Sequence, residues 1–192
     1  MNNNTGNSAM NHFKPALILS FAFLAVFAES TLSAPRSLLG AQIDLLPALM
    51  IYAALNADIV TLSLLAVLGG MWFDSLSANP LGVTILPLMV AGFPVYLRRD
   101  LILRGLPFAQ FVLGAAASAL VPALTVLLLL NGGRQPLLGW ISLWQWMVMT
   151  AGGAAATPLI FSLAEWFGHA LGYKLRTQSS FRSDREIHRG RK

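Results

Sequence analysis

Residues 44–76 read DLLPALMIYAALNADIVTLSLLAVLGGMWFDSL, and how this stretch is divided decides the fold. Asp44 to Ala57 is apolar but only fourteen residues long, short for a membrane span of about 20 residues. Asn56, Ala57 and Asp58 interrupt it, and a second apolar run continues from Ile59 to Leu76. Read as one helix, the stretch gives the chain five crossings; read as two, it gives six.

The sequence on either side supplies the remaining runs. Upstream, Pro15 to Leu32 follows Lys14. A cleaved signal peptide would need a small residue at Leu32, before Ala34, and would leave Pro35 after the cut, so this run reads as an uncleaved first helix. Downstream, Asn79-Pro80 offers an N-cap and a first-turn proline for a fourth helix ending at Leu97. A fifth run extends from about Pro107 to Leu130, and a sixth lies within Trp140 to Tyr173.

The charges choose between five and six. Six crossings place Lys14, Arg98, Arg99, Arg104 and the seven cations from Lys174 onward on the cytoplasmic side, eleven in all, and leave Arg36 and Arg134 outside. Five would put the basic tail opposite Lys14, against the positive-inside rule. The expectation is an all-α integral membrane protein with six transmembrane helices and both termini cytoplasmic. Three regions follow: a disordered polar extension over 1–13, a membrane domain over 14–173 and a basic cytoplasmic tail over 174–192.

Composition agrees with this reading. Of the 192 residues 56% are apolar and 11% charged, with a mean hydropathy of +0.64; a soluble domain carries roughly a quarter charged residues. The net +5 therefore reads as topology and attraction to anionic membrane lipids, and no nucleic-acid partner is expected. The absence of cysteine excludes disulfides, thiolate catalysis and Cys-based metal centres. His12, His169 and His188 are too scattered for a metal site. No nucleophile–base pair, phosphate loop or cofactor motif occurs, so neither an enzyme nor a cofactor is expected. Most tryptophans and tyrosines fall near expected helix ends, where aromatic belts form.

Acidic residues in lipid are costly and invite a functional reading. Glu29, Asp44 and Asp74 all fall at outer helix ends in the six-helix topology. A structural role is also open to each. Glu29 can snorkel toward water, Asp44 can cap the helix before Pro47, and Asp74 can accept hydrogen bonds from the turn at Ser75 to Asn79. Ser63, Ala66, Gly70, Asp74 and Ser77 form a small, polar stripe along the third helix, which lets a neighbouring helix approach closely. Gly114/Ser118 and Gly152/Ala156 offer similar faces. Glu165 and His169, four apart, can pair on the last helix, and Pro87, Pro94, Pro122 and Pro158 are expected to kink theirs.

Leu68 to Gly82, reading LGGMWFDSLSANPLG, resembles the signature of the rod shape-determining protein MreD family: glycines, an apolar run, Asp74, a small polar segment, then Pro80-Leu81-Gly82 turning into the next helix. The likeness extends to Asp44-Leu45-Leu46-Pro47 and covers about residues 15–173. It implies a non-enzymatic inner-membrane scaffold of the bacterial elongation machinery. The expected partners are MreC, and RodA with a class B penicillin-binding protein in a larger complex. It also implies the fold of the substrate-binding subunits of energy-coupling-factor transporters, with Gly70, Asp74, Ser77, Asn79, Pro80, Leu81 and Gly82 shaping the outer end of the third and fourth helices. A solute-binding subunit of a small-molecule transporter is the alternative function, motivated by the same helices and the carboxylates Glu29, Asp44 and Asp74.

Overall fold

The computed structural model describes residues 5–31, 40–41, 43–77, 79–102, 106–134 and 139–170. Among these the chain is helical, with no strand: α1 (Thr5–Thr31), α2 (Leu46–Asn56), α3 (Ile59–Leu76), α4 (Ile85–Leu97), α5 (Pro107–Asn131) and α6 (Trp140–Ala170). Three of them, α3, α5 and α6, are long and apolar enough to cross a membrane. This is a helical membrane protein. Leu17–Glu29 in α1, α2 and α4 are shorter apolar helical stretches.

The division at Asn56–Asp58 is real. Asn56 ends α2, Ala57 takes an extended conformation, and α3 starts after Asp58. Helix α2 is the centre of the bundle. Leu46, Ala48, Leu49, Met50, Ile51, Ala53, Ala54 and Leu55 are each at most 1% exposed, so the helix is enclosed on every side, as all-round apolar sequence requires. Its eleven residues measure only about 16 Å. Glycines set how closely the neighbours approach. A Cβ on Gly92 of α4 would lie 2.6 Å from Met50 Cε, and one on Gly69 of α3 would lie 2.9 Å from Leu46 Cδ1.

Within α3 the turn Leu65–Gly69 is a π-helix. It leads directly into Gly70, whose added Cβ would meet the Ile85 backbone at 3.2 Å. The small stripe thus packs inward: Ala66, Gly70 and Asp74 are buried, Ser63 and Ser77 half-buried.

Three expectations change. Helix α1 begins at Thr5, so the polar residues 5–13, expected to be disordered, are helical; one continuous helix carries them on from the apolar run. Helix α4 starts at Ile85 rather than at Asn79-Pro80. Gly82 holds a left-handed φ of +90° that ends any helix begun at Pro80. Pro87 then falls in the first turn of α4, where no intrahelical donor is lost, and is not the internal kink expected; Pro94, Pro122 and Pro158 do lie inside helices. Residues 174–192 lie outside the described residues.

Helices α5 and α6 are locked by a reciprocal pair of contacts. A Cβ on Gly114 would come 2.0 Å from Thr157 Oγ1, and one on Gly153 would come 1.8 Å from Ser118 Oγ. Gly114 and Ser118 therefore do form a helix-packing face, but its partners are Gly153 and Thr157. Gly152 instead faces Ile43, 2.7 Å from a built Cβ, because residues 152 and 153 are about 100° apart around the helix.

At the opposite end of α2, the Arg99 guanidinium donates to the Ala57 carbonyl at 3.1 Å and stacks 4.5 Å over the Tyr96 ring. It ties the end of α4 to the α2–α3 break. Arg98 beside it is exposed. Arg99→Ala is expected to lower stability in detergent by about 2–4 kcal/mol, the sum of one hydrogen bond from a charged group and a partly exposed cation–π contact; Arg98→Ala should leave the melting temperature unchanged.

Candidate functional site

Asp74 sits in the last turn of α3 and is 1% exposed. Its Oδ2 accepts the backbone N–H of Gly82 at 2.8 Å and of Thr84 at 3.1 Å, and its Oδ1 accepts the Thr84 hydroxyl. The donors come from eight and ten residues along, not from the Ser75–Asn79 turn. That nearer turn is closed by other bonds. Ser77 N–H donates to the Phe73 carbonyl at 3.0 Å, the Ser77 hydroxyl to the Asp74 carbonyl at 3.2 Å, and Asn79 N–H to Ser77 Oγ at 3.3 Å.

The arrangement explains why this block needs its residue types. Thr84 stands at the N-cap position of α4 with its hydroxyl given to Asp74 rather than to the helix, and the carboxylate that takes its N–H also faces the positive end of the helix. Gly82 supplies the positive φ that turns its own N–H toward Asp74. Pro80 closes the tight turn through Val83 N–H to the Pro80 carbonyl, 3.3 Å. Leu81 is 68% exposed and does not contribute to the core. Asn79 and Pro80 are half-buried. Of the residues singled out from sequence, Asp74, Ser77, Asn79, Pro80 and Gly82 are thus brought into one hydrogen-bonded unit, with Gly70 beneath it against Ile85. Thr84 was missed. Its signal was weak: a lone Thr before an apolar run, read as helix interior once the helix was assumed to start at Pro80.

Glu29 and Asp44 come together elsewhere, at the N-terminal end of α2. Glu29 Oε1 accepts Leu45 N–H at 2.5 Å and Asp44 Oδ1 accepts Leu46 N–H at 2.9 Å. Asp44 caps, as its position before Pro47 implies. Glu29 does not snorkel: it is turned inward across α1 to α2, and its Oε2 is buried with no partner. Two carboxylates on successive amides satisfy donors that the first helical turn leaves open. Glu29→Ala removes the acceptor of a part-buried N–H and is expected to cost about 1–3 kcal/mol, read as a lower melting temperature in detergent. Glu29→Gln keeps an acceptor oxygen and should recover most of it.

The three carboxylates therefore form two units, a pair at α2 and a single latch at α4, each facing main-chain donors. Arg104 and the side chain of His169 lie outside the described residues; Glu165 is exposed. No family model, curated protein or solved structure matches the chain.

Proposed function

We propose that the chain crosses the bacterial inner membrane six times, with both termini in the cytoplasm, and acts there as a non-enzymatic scaffold of the cell-elongation machinery. MreC is its direct partner, with RodA and a class B penicillin-binding protein in the same complex. The observation that carries this reading is the Asp74 latch. The block from Gly70 to Gly82, which resembles the MreD family, holds the junction of α3 and α4, and its carboxylate is engaged by the Gly82 and Thr84 N–H groups and the Thr84 hydroxyl rather than presented for chemistry. A hydrogen-bonded turn with exposed Leu81 at its tip suits a contact with a partner better than turnover of a substrate. The fold expected with it, that of energy-coupling-factor substrate-binding subunits, belongs to the same proposal.

The topology is tested by fusing phosphatase or fluorescent reporters to the C-terminus. The proposal expects a reporter that works only in the cytoplasm; activity on the far side would overturn the six-crossing topology. The partner is tested by co-purification of MreC with the wild-type chain and with Leu81→Asp, an exposed substitution that leaves the latch intact. Loss of MreC from the variant is expected, and retention would remove the turn from the interface.

A further inference from the structure

The two carboxylate junctions repeat one another in sequence. From Glu29 the chain reads ESTLSAP, then Leu39-Gly40 and DLLP at 44–47; from Asp74 it reads DSLSANP, then Leu81-Gly82 and TILP at 84–87. The structure places the parts alike. Gly40 and Gly82 both hold a left-handed φ, +65° and +90°, and Pro47 and Pro87 both fall in the first turn of the helix that follows. In each hairpin the carboxylate near the end of one helix accepts a main-chain N–H at the start of the next, Glu29 from Leu45 and Asp74 from Thr84. The hairpins also point the same way. Leu46 of α2 and Ile85 of α4 meet the adjacent Gly69 and Gly70, and beyond the far ends Arg99 reaches the Ala57 carbonyl, so α2 and α4 run parallel with their ends level. Parallel repeats of this kind are one of the ways membrane bundles are built. Ala41 to Ile43 stand where the second block has Val83 alone, and Ile43 uses that length to pack on Gly152 of α6.

One position differs in chemistry. Thr84 donates its hydroxyl to Asp74, and its counterpart in the first block is Asp44, a carboxylate with no hydrogen to give. Asp74 therefore takes three donors on its two oxygens. Glu29 takes one N–H, at 2.5 Å, and keeps a buried oxygen without a partner; Asp44 turns to the Leu46 N–H instead. The rest of α1 holds on lightly. Among its described side chains only the small Ala22, Ala25 and Val26 are buried, while Leu24 and Phe27 are exposed. In lipid an apolar helix gains no hydrophobic energy by staying against its neighbours, so packing and polar bonds decide whether it does.

We propose that α1–α2 and α3–α4 are two copies of one hairpin unit whose junctions have diverged, the second into a fixed clamp and the first, through Asp44, into the joint at which the bundle opens. The proposal rests on the helices lying in a membrane and on no partner. Amide exchange resolved to single residues, on the full chain in detergent micelles, reads both junctions at once, because exchange reports local opening. Protection of the Leu45 N–H is expected to lie at least about tenfold below that of the Thr84 N–H, the difference made by two fewer hydrogen bonds. Asp44→Thr rebuilds the second junction in the first by giving the free Glu29 oxygen a donor. It should raise Leu45 protection about tenfold and leave Thr84 as it was. Equal protection of Leu45 and Thr84 in the wild-type chain would overturn the proposal. So would Leu45 protection that Asp44→Thr lowers or leaves unchanged, since Asp44 would then be a helix cap and not the counterpart of Thr84.

Discussion

Asp74→Ala is expected to lower the stability of the detergent-solubilised protein by about 3–6 kcal/mol, because three donors lose their acceptor and a buried, unsatisfied donor costs about 1–3 kcal/mol. The Gly82 and Thr84 N–H groups and the Thr84 hydroxyl all converge on this carboxylate, and no other side chain among the described residues takes them. Asp74→Asn should cost much less, about 1–2 kcal/mol. The amide oxygen can still accept the two N–H groups and its NH2 can donate to the Thr84 oxygen, so the loss is mainly the charge-assisted strength and the helix-end term. Thermal melting of the two variants beside wild type, with limited proteolysis at residues 79–84, reads both effects. Equal stability of Asp74→Ala and wild type would show that the latch does not hold the α3–α4 junction.

Gly153→Ala is the second large effect. The new methyl would lie 1.8 Å from Ser118 Oγ and 2.5 Å from its Cβ, closer than any side-chain adjustment allows, so α5 and α6 must separate along their shared face. Overpacking of this kind costs about 1–3 kcal/mol and sometimes more. The compensating change is specific. Ser118→Gly removes both clashing atoms and leaves the Gly114 carbonyl, 3.8 Å away, as the nearest remaining neighbour. The double variant is therefore expected to melt near wild type although each single variant does not: Ser118→Gly alone opens a void and adds a helical glycine, at about 1 kcal/mol. Additive losses in the double variant would refute the interlock.

Much of the fold could be read from residue patterning because lipid leaves backbone donors few options. Apolar runs bounded by Asn56–Asp58, by Arg98–Arg104 and by Asn131–Arg134 become helices nearly at the expected limits. Where the reading went astray, tertiary hydrogen bonds decided. Asn79-Pro80 has the local chemistry of a helix start, yet Asp74 outbids it by binding Gly82 and Thr84. Glu29 looks like a snorkelling residue by position, and only the approach of α1 to α2 shows that an amide awaits it. Gly153 and Thr157 were indistinguishable from their small neighbours, since which of Gly152 and Gly153 meets α5 depends on the rotation of α6. The latch itself was half legible: the acidic residue and the turn stood out, but not the threonine that completes it.

The central proposal is that this membrane bundle supports rod-shaped growth, and depletion of the chain from the cells that produce it tests that proposal most directly. Under the microscope, depleted cells should widen and round, and wild-type protein supplied in trans should restore rods. Cells that keep their width and length through depletion would contradict the account.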